Sequence, residues 1–238
     1  EIRSYADKIT ALGGGVTGYY LPGNCAGCNI FTVGPLMWAS GAKIEAGKCG
    51  DEPLVGDGVK QVDQWARDMV AAKNVPDSAQ AETGATFAEQ FGTGKIGMMG
   101  TGNFNIVLAR DQMKDHPFTF GISLLPGVDS GKYASFIGGD LVVIPNGSKR
   151  VDDAISFMHY LLQDTQQVEL YAKALNLTTR TDPKLLDNPY YKAEPLIADV
   201  AKALTVGKTP YSLTFFEQIN DPAGPWLQQL QRAYYTQD

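Results

Sequence analysis

Short apolar runs typical of β-strands alternate with amphipathic stretches typical of helices along this 238-residue chain, and this alternation constrains the fold most. Strands are expected at residues 16–21, 95–99, 118–123 and 141–145. The clearest helix follows Asp57, which we expect to cap it. Its apolar residues form one 3.6-residue stripe that consists of Val59, Val62, Trp65, Ala66, Met69 and Val70. Strands that alternate with helices predict an α/β fold.

The remaining helices are predicted from the same periodicity and from their flanking glycine and proline residues. They cover residues 1–12, 30–40, 104–114, 151–163, 165–175, 190–204 and 222–235. A further short helix holds Phe87 and Phe91, and the polar residues 43–56 predict a loop or hairpin. The residues of the 151–163 helix that should face inward are Ala154, Ile155, Met158, Leu161 and Leu162.

Composition and charge exclude several classes of function. The net charge of −6 and the lack of a basic run argue against nucleic acid and against an anionic lipid surface, because both require clustered Lys and Arg. No stretch approaches the roughly 20 apolar residues of a membrane-spanning helix. Residue 1 is Glu within an expected helix, so we infer that upstream sequence precedes this chain. The lack of a signal peptide in the given sequence is therefore no evidence about the location of the protein.

Three cysteines are present, and Cys25 and Cys28 form a C-x-x-C motif just ahead of an expected helix. This position can lower a thiol pKa and support thiol–disulfide exchange. The alternative is a structural disulfide, either between these two residues or between one of them and Cys49. A zinc site would need a fourth ligand, and neither His116 nor His159 is in register with a second C-x-x-C motif, so no metal site is expected.

Catalytic motifs are otherwise absent from the sequence. Residues 92–97 match G-x-G-x-x-G, but these glycines follow a helix and lead into a strand, whereas a dinucleotide site needs the reverse order. There is no G-x-S-x-G motif and no candidate triad. The sequence therefore favours a binding protein that needs no cofactor over an enzyme.

Aromatic and amide side chains cluster at three junctions between loops and helices. Sugars present an apolar ring face and a rim of hydroxyl groups, so their sites combine flat aromatic residues with amide and backbone donors. The candidate ligand residues in these clusters are Tyr20, Asn29, Phe31, Trp38, Asn103, Phe104 and Phe215. Any one of these aromatic residues could instead be an ordinary core residue, and it is the coincidence of three clusters that points to a ligand.

Four segments, in this order, resemble the extracellular solute-binding proteins of family 1, the maltose-binding-protein-like group. Residues 87–100 (FAEQFGTGKIGMMG) resemble its helix-to-strand signature, and residues 63–65 (DQW) resemble its "dW" helix. Residues 120–126 (FGISLLP) with 135–139 (SFIGG) resemble its crossing segment, and residues 154–167 resemble its paired helices. The sequence departs from the group at its cysteines and in having Phe104 rather than Trp.

The resemblance implies a periplasmic-binding-protein type II fold, in which two α/β lobes are joined by hinge crossings and ligand lies in the cleft. On this map residues 1–123 and 183–238 form the C-terminal lobe, and residues 124–130 form the hinge crossing. Residues 131–182 return to an incomplete N-terminal lobe whose first part is absent from the chain.

The resemblance also implies a function and places residues at the ligand. The protein would be the substrate-binding component of an ABC importer, periplasmic or extracellular and membrane-tethered if a lipoprotein, with a carbohydrate ligand and a membrane permease as partners. Phe104 falls where the family often stacks an aromatic ring on the sugar. Gly139 falls where backbone groups approach ligand, and Asp140 could accept a hydroxyl hydrogen bond. The alternative function is a thiol–disulfide oxidoreductase that uses Cys25 and Cys28.

Overall fold

The computed structural model has an α/β fold, as the alternating pattern predicts. It describes residues 1–46, 54–114, 117–129, 131–138, 141–175, 182–212, 214 and 216–235. None of the helices in these ranges combines the length and the apolar character needed to cross a membrane.

Helices make up most of the described chain. The α-helices are α1 (Ile2–Thr10), α2 (Ala26–Thr32), α3 (Gly34–Ala39), α4 (Asp57–Ala71), α5 (Phe87–Gly92), α6 (Asn105–Gln112), α7 (Val151–Leu161), α8 (Asp164–Gln166), α9 (Lys173–Leu175), α10 (Pro189–Ala193), α11 (Pro195–Leu204) and α12 (Pro225–Tyr235). A π-helical segment (Gln167–Ala172) joins α8 to α9, and a second one covers Phe216–Asn220. Two 3₁₀ turns cover Asp77–Ala81 and Pro183–Asp187.

The described strands form two small mixed sheets. They are β1 (Lys43–Ala46), β2 (Leu54–Val55), β3 (Leu125–Pro126), β4 (Tyr133–Phe136), β5 (Gly207–Lys208) and β6 (Tyr211–Ser212). In the first sheet β1 pairs antiparallel with β2 and parallel with β6, so of the loop or hairpin expected at residues 43–56 it is the hairpin that forms. In the second sheet β4 pairs antiparallel with β3 and parallel with β5. The parallel pairings join segments that are far apart in the sequence.

The larger hydrophobic core lies where α4 packs against α12. The predicted stripe of α4 is confirmed, because Val59, Val62, Ala66 and Met69 are buried. The buried residues of α12 are Trp226, Leu227, Leu230 and Tyr234, of which Trp226, Leu230 and Tyr234 belong to this core. The expected cap of α4 was wrong by one residue: Gly56 occupies the N-cap position and Asp57 lies in the first turn, where its charge still favours the positive end of the helix dipole.

A smaller core surrounds α10 and α11. Its buried members are Ile106, Val168, Ala172, Leu185, Tyr191 and Ile197. The two clusters have no buried member in common.

Several predicted elements are interrupted where proline or glycine intervenes. The helix expected at residues 30–40 is divided between α2 and α3 around Val33, because Pro35 has no N–H to continue the hydrogen bonding of α2. The helix expected at 190–204 is divided at Pro195 in the same way. Residues 16–21 and 95–99 lie side by side but form only two isolated bridges, Thr17 with Ile96 and Tyr20 with Met99.

Three predictions were wrong between residues 118 and 163. Residues 118–123 and 141–145 form no strand, and Leu141 and Val143 are 89% and 73% exposed. Helix α7 buries none of its residues, and the predicted inward residue Ile155 is 42% exposed. Residues 141–145 and α7 have the apolar pattern of packed elements, but the described residues offer them little to pack against.

Candidate functional site

A cavity of about 600 Å³ opens between α2, α5, α6, α11 and strand β4. This volume lies within the range of about 300–1,000 Å³ that is usual for small-molecule sites. Its aromatic lining residues are Phe31, Phe91, Phe104, Phe120 and Phe136. Its polar lining residues in the described ranges are Thr101, Asn103, Asn105, Ser123, Ser135 and Asp199. An apolar surface with a few polar side chains suits a ligand that has both kinds of surface.

One wall of the cavity consists of aromatic rings that hold each other in place. The ring of Phe31 meets Phe104 edge-on, with centroids 5.2 Å apart and planes at 83°. It meets Phe136 in the same manner at 4.8 Å and 88°. Behind this wall Trp38 stacks parallel to Phe136 at 6.4 Å. Phe104 remains 45% exposed, so a ring face can be offered to a ligand.

The loop before α6 places Phe104 at the cavity. A side chain at Gly102 would collide with the Phe104 ring, because an added Cβ would lie 2.3 Å from that ring, so only glycine allows the ring to fold back over the loop. Gly100 also packs closely, since an added Cβ would lie 2.9 Å from the Thr32 carbonyl oxygen and 3.0 Å from the Tyr19 hydroxyl oxygen. The predicted site residue Asn103 lies in this loop and lines the cavity.

The opposite wall is a second aromatic group. Phe91 meets Phe118 at 5.6 Å and Phe120 at 5.9 Å, both edge-on. Phe91 belongs to α5, whereas Phe120 belongs to a segment without helix or strand that leads to β3. The cavity thus has phenylalanine rings on two sides, supplied by separate parts of the chain.

The structure brings together Phe31, Asn103 and Phe104 of the predicted site but not its other described members. Tyr20 and Asn29 are each 1% exposed and lie outside the cavity lining. Trp38 contacts the cavity only through Phe136. The candidates outside the described residues are Gly139, Asp140, Phe215 and Cys49.

Phe91, Phe120 and Phe136 line the cavity and were not among the predicted site residues. Phe120 and Phe136 lie within the two segments that resemble the family's crossing, so that resemblance could have found them. Phe91 could have been found from its place in the 87–100 segment. What sequence reasoning could not supply was the proximity of these segments, because β4 reaches the cavity through its pairing with β3 and β5.

Cys25 and Cys28 form a disulfide at the start of α2, which decides between the pairings that the sequence left open. The Cys25 sulfur also accepts a hydrogen bond from the Cys28 N–H at 3.1 Å and thereby caps the helix. The Asn29 side chain donates to the Cys25 carbonyl at 2.8 Å. The predicted site residue Asn29 therefore stabilises this helix turn.

Glu82 closes a loop beside the disulfide. Its carboxylate accepts hydrogen bonds from the N–H of Gly84 at 2.6 Å and from the hydroxyl groups of Thr86 at 2.6 Å and Tyr20 at 3.1 Å. Burial alone would raise the pKa of Glu82, but these hydrogen bonds favour the charged form and lower the pKa below its ordinary value. Glu82 is thus a buried carboxylate that stays ionised.

Charge is sparse around the cavity. Asp199 is the charged residue among the described lining residues, and its carboxylate is paired with Lys202 at 2.6 Å. In the described part of the chain no group of three or more His, Cys, Asp or Glu residues is placed to hold a metal ion. The described lining therefore presents mainly ring faces, hydroxyl groups and amides to a ligand.

Comparison with known proteins yields one family and a consistent set of structures. Residues 4–199 match the family model of bacterial extracellular solute-binding proteins. A maltooligosaccharide ABC transporter solute-binding lipoprotein of Streptococcus pneumoniae is 27% identical over 167 residues, which are 70% of this chain and 36% of that protein.

Two solved structures show the same fold. The GacH receptor of Streptomyces glaucescens, solved without ligand and with acarbose, has a TM-score of 0.72 at 19% identity. The maltose/maltodextrin-binding domain MalE of Bdellovibrio bacteriovorus, bound to maltotriose, has a TM-score of 0.66 at 18% identity. They match 100% and 99% of this chain and 58% and 60% of their own.

The chain thus spans about a third of the curated relative and somewhat over half of the solved structures. The structural likeness confirms the prediction of a periplasmic-binding-protein type II fold. Since the family model covers more than four fifths of the sequence, the chain belongs to the family of bacterial extracellular solute-binding proteins.

Proposed function

We propose that this chain is part of the substrate-binding component of an ABC importer, which captures a mono- or oligosaccharide between two lobes and delivers it to a membrane permease. The observation that carries this proposal is the half-exposed ring of Phe104 beside the amide of Asn103 in a cavity of about 600 Å³. The names of the relatives, which include maltooligosaccharide-binding and acarbose-bound proteins, point to the same ligand class.

The lining residues suggest how a sugar would be held. The carbon-bound face of a pyranose ring would stack on Phe104, while Thr101, Asn103 and Ser135 would exchange hydrogen bonds with hydroxyl groups. Of the remaining predicted residues, Trp38 would support the wall from behind through Phe136, whereas Tyr20 and Asn29 would act indirectly, through Glu82 and the first turn of α2. Gly139, Asp140 and Phe215 remain proposed ligand contacts. No bond of the ligand is made or broken, so no catalytic residue or cofactor is invoked.

Ligand capture would depend on the lobe division inferred from the sequence, with residues 1–123 and 183–238 in one lobe, 124–130 as the crossing and 131–182 in the other. A ligand that contacts both lobes stabilises the closed state, and the permease would bind the protein in that closed state. The exposed apolar residues of α7 support the presence of an N-terminal part of the same protein that covers them. The protein would work in the periplasm or outside the cell, tethered to the membrane if it is a lipoprotein.

Titration calorimetry of the longer polypeptide, which comprises this chain and the proposed N-terminal part, tests the proposal. We expect binding of maltotriose or another member of a mono- and oligosaccharide panel, and we expect Phe104→Ala to weaken it at least about tenfold through loss of ring stacking. The matched control is Leu12→Ala, which removes an apolar side chain that is 78% exposed and lies outside the cavity. The proposal would be refuted if the protein bound none of the sugars but bound a polyamine.

The alternative of a thiol–disulfide enzyme receives less support. Gly84 lies against the sulfurs of both Cys25 and Cys28, and Cys25 is only 8% exposed, so a dithiol substrate would have little access to that sulfur. Alkylation after mild reduction separates the two functions. A rapidly reacting thiol would favour the enzyme, whereas a slow one is expected for a structural disulfide.

A further inference from the structure

The Cys25–Cys28 disulfide is packed between two elements that both reach the cavity. It lies at the start of α2, and the backbone of Gly84 lies directly on it. A Cβ added to Gly84 would lie 2.8 Å from the sulfur of Cys25 and 3.1 Å from that of Cys28. Gly84 also has a φ of +100°, which disfavours any other residue there.

The loop that carries Gly84 is held in this position by Glu82. The carboxylate of Glu82 accepts the backbone N–H of Gly84 and both the N–H and the hydroxyl of Thr86. Helix α5 begins directly after Thr86. The disulfide therefore contacts a short, closed loop that leads without a gap into α5.

Both elements supply a wall of the cavity. Phe31 follows Cys28 by three residues in α2, which places both side chains on neighbouring positions of one helix face. Thr32, at the end of α2, lies against Gly100 at the start of the loop that carries Phe104. On the other side α5 contributes Ala88 and Phe91 to the lining.

We propose that the Cys25–Cys28 disulfide, together with Gly84, positions the aromatic walls of the cavity and thereby sets its affinity for ligand. Phe31 is the positioning residue through which the disulfide acts on Phe104, because its ring meets Phe104 edge-on at 5.2 Å. The consequence for affinity rests on the proposed sugar-binding function, whereas the positioning of the rings does not.

Fluorine NMR tests the positioning directly. The longer polypeptide is labelled with fluorophenylalanine, and the resonances of Phe31, Phe104 and Phe157 are assigned by single Phe→Leu variants. On reduction with dithiothreitol we expect the Phe31 and Phe104 resonances to shift or broaden while that of Phe157, which lies on α7 and outside the cavity lining, stays unchanged. Unchanged Phe31 and Phe104 resonances in fully reduced, folded protein would overturn the proposal.

A pair of glycine variants tests the same contact without breaking the disulfide. Gly84→Ala places a methyl group against both sulfurs, so it should shift the Phe31 and Phe104 resonances as reduction does. Gly14→Ala is the matched control, because Gly14 has a similarly positive φ of +66° but an added Cβ would meet nothing within 4 Å. Equal spectra for the two variants would contradict the proposal. If Gly84→Ala does not fold, the reduction experiment on the parent protein still tests whether the disulfide positions Phe31 and Phe104.

Calorimetry with maltotriose tests the consequence for affinity. We expect reduction and the double variant Cys25→Ser/Cys28→Ser to weaken binding about tenfold, with Gly14→Ala unaffected. Equal affinity in the oxidised and reduced states would overturn the link to affinity. If the oxidised protein binds no sugar at all, the proposed function fails, and the NMR result alone then decides whether the disulfide positions the rings.

Discussion

Two carboxyl groups next to the larger core respond to burial in opposite ways. Glu82 keeps its charge because four hydrogen bonds compensate its removal from water. Asp63, on α4, has a buried oxygen without a hydrogen-bond partner among the described residues, and burial raises its pKa to about 6 although Arg67 opposes the shift. Each residue therefore makes stability depend on pH in its own direction.

For Glu82 the pKa is lower in the folded state than its ordinary value of 4.5. The unfolded chain therefore binds the proton more readily, and the stabilisation by Glu82 is present above about pH 4.5 and is lost as the pH falls through the folded-state pKa. We expect Glu82→Gln to lower the free energy of unfolding at pH 7 by about 1–3 kcal/mol and to flatten its acid dependence. Urea unfolding between pH 3 and 7 measures both effects.

The matched control is Glu89→Gln on the exposed face of α5. It should change the free energy of unfolding by less than about 0.5 kcal/mol. If the free energy of unfolding decreases equally with acid in the Glu82 variant and in the parent protein, a group other than Glu82 causes this pH dependence.

For Asp63 the sign is reversed. A folded-state pKa of about 6, against an ordinary value of 3.8, means that the folded protein binds the proton more readily. Stability should therefore decrease as the pH rises from about 4 through 6. We expect Asp63→Asn to remove this decrease and to raise the free energy of unfolding at pH 8 by about 1–3 kcal/mol.

Thermal or urea unfolding at pH 5 and pH 8 gives the comparison, with Asp68→Asn as the control on the exposed face of the same helix. A variant that keeps the full pH dependence of the parent would show that Asp63 is not its source.

Among the elements, α7 presents the clearest mismatch between sequence pattern and packing. Val151, Ile155, Phe157 and Tyr160 of this helix are all more than 40% exposed, as is Leu162 directly after it. A helix with apolar residues at these positions normally packs against a neighbour. The proposed N-terminal part of the protein would supply that neighbour.

This proposal predicts different effects of one substitution in two polypeptides. Ile155→Ser should change the free energy of unfolding of the 238-residue chain by at most about 0.5 kcal/mol, since the residue is partly in water. In the longer polypeptide it should cost about 2–4 kcal/mol, because a buried apolar side chain is lost and a hydroxyl is buried. Denaturant unfolding of both pairs gives the comparison. Leu12→Ser serves as control, and the same small effect of Ile155→Ser in both polypeptides would contradict the covering of α7.

Sequence reasoning succeeded for elements whose partners are close along the chain or whose apolar face is broad. The stripe of α4 predicted its buried face, and the polar stretch at 43–56 predicted a loop or hairpin, of which the hairpin forms. It failed for residues 118–123 and 141–145, because an apolar run shows only a capacity to pair and not whether a partner strand is present. The helices expected at residues 30–40 and 190–204 are each divided in two. These breaks could have been predicted, because Pro35 and Pro195 lack the N–H that a continuous helix needs.

At the scale of the whole molecule, the division of the buried residues into two clusters predicts unequal local stability. The cluster around α4 and α12 is much the larger, whereas α11 belongs to the smaller one. Fewer buried apolar contacts lower the free energy of local opening. We expect the protected amides of α11 to exchange with deuterium at least about tenfold faster than those of α4. Equal exchange rates measured by NMR would indicate one cooperative unit instead.

In the candidate site, too, the sequence predicted the kinds of residue but not which of them come together. The composition and the aromatic clusters indicated a sugar-binding surface, and Phe31, Asn103 and Phe104 do lie together. Tyr20 and Asn29 lie apart from them in the core, where the Tyr20 hydroxyl donates a hydrogen bond to Glu82 and the Asn29 amide donates one to the Cys25 carbonyl. A sequence shows that a residue is amphipathic, but the partner that satisfies it is decided by tertiary packing.

The position of α12 has a consequence for the newly made protein. Tyr235 donates a hydrogen bond to the Leu21 carbonyl at 2.7 Å, and Arg67 donates to the carbonyl of Ala233, which is 166 residues later in the chain. A ribosome adds about 5–20 residues each second, so α4 would wait on the order of ten to thirty seconds for the helix that covers it. During synthesis the apolar stripe of α4 is therefore open to chaperones or to aggregation, and the larger core closes only when translation of this region is almost complete.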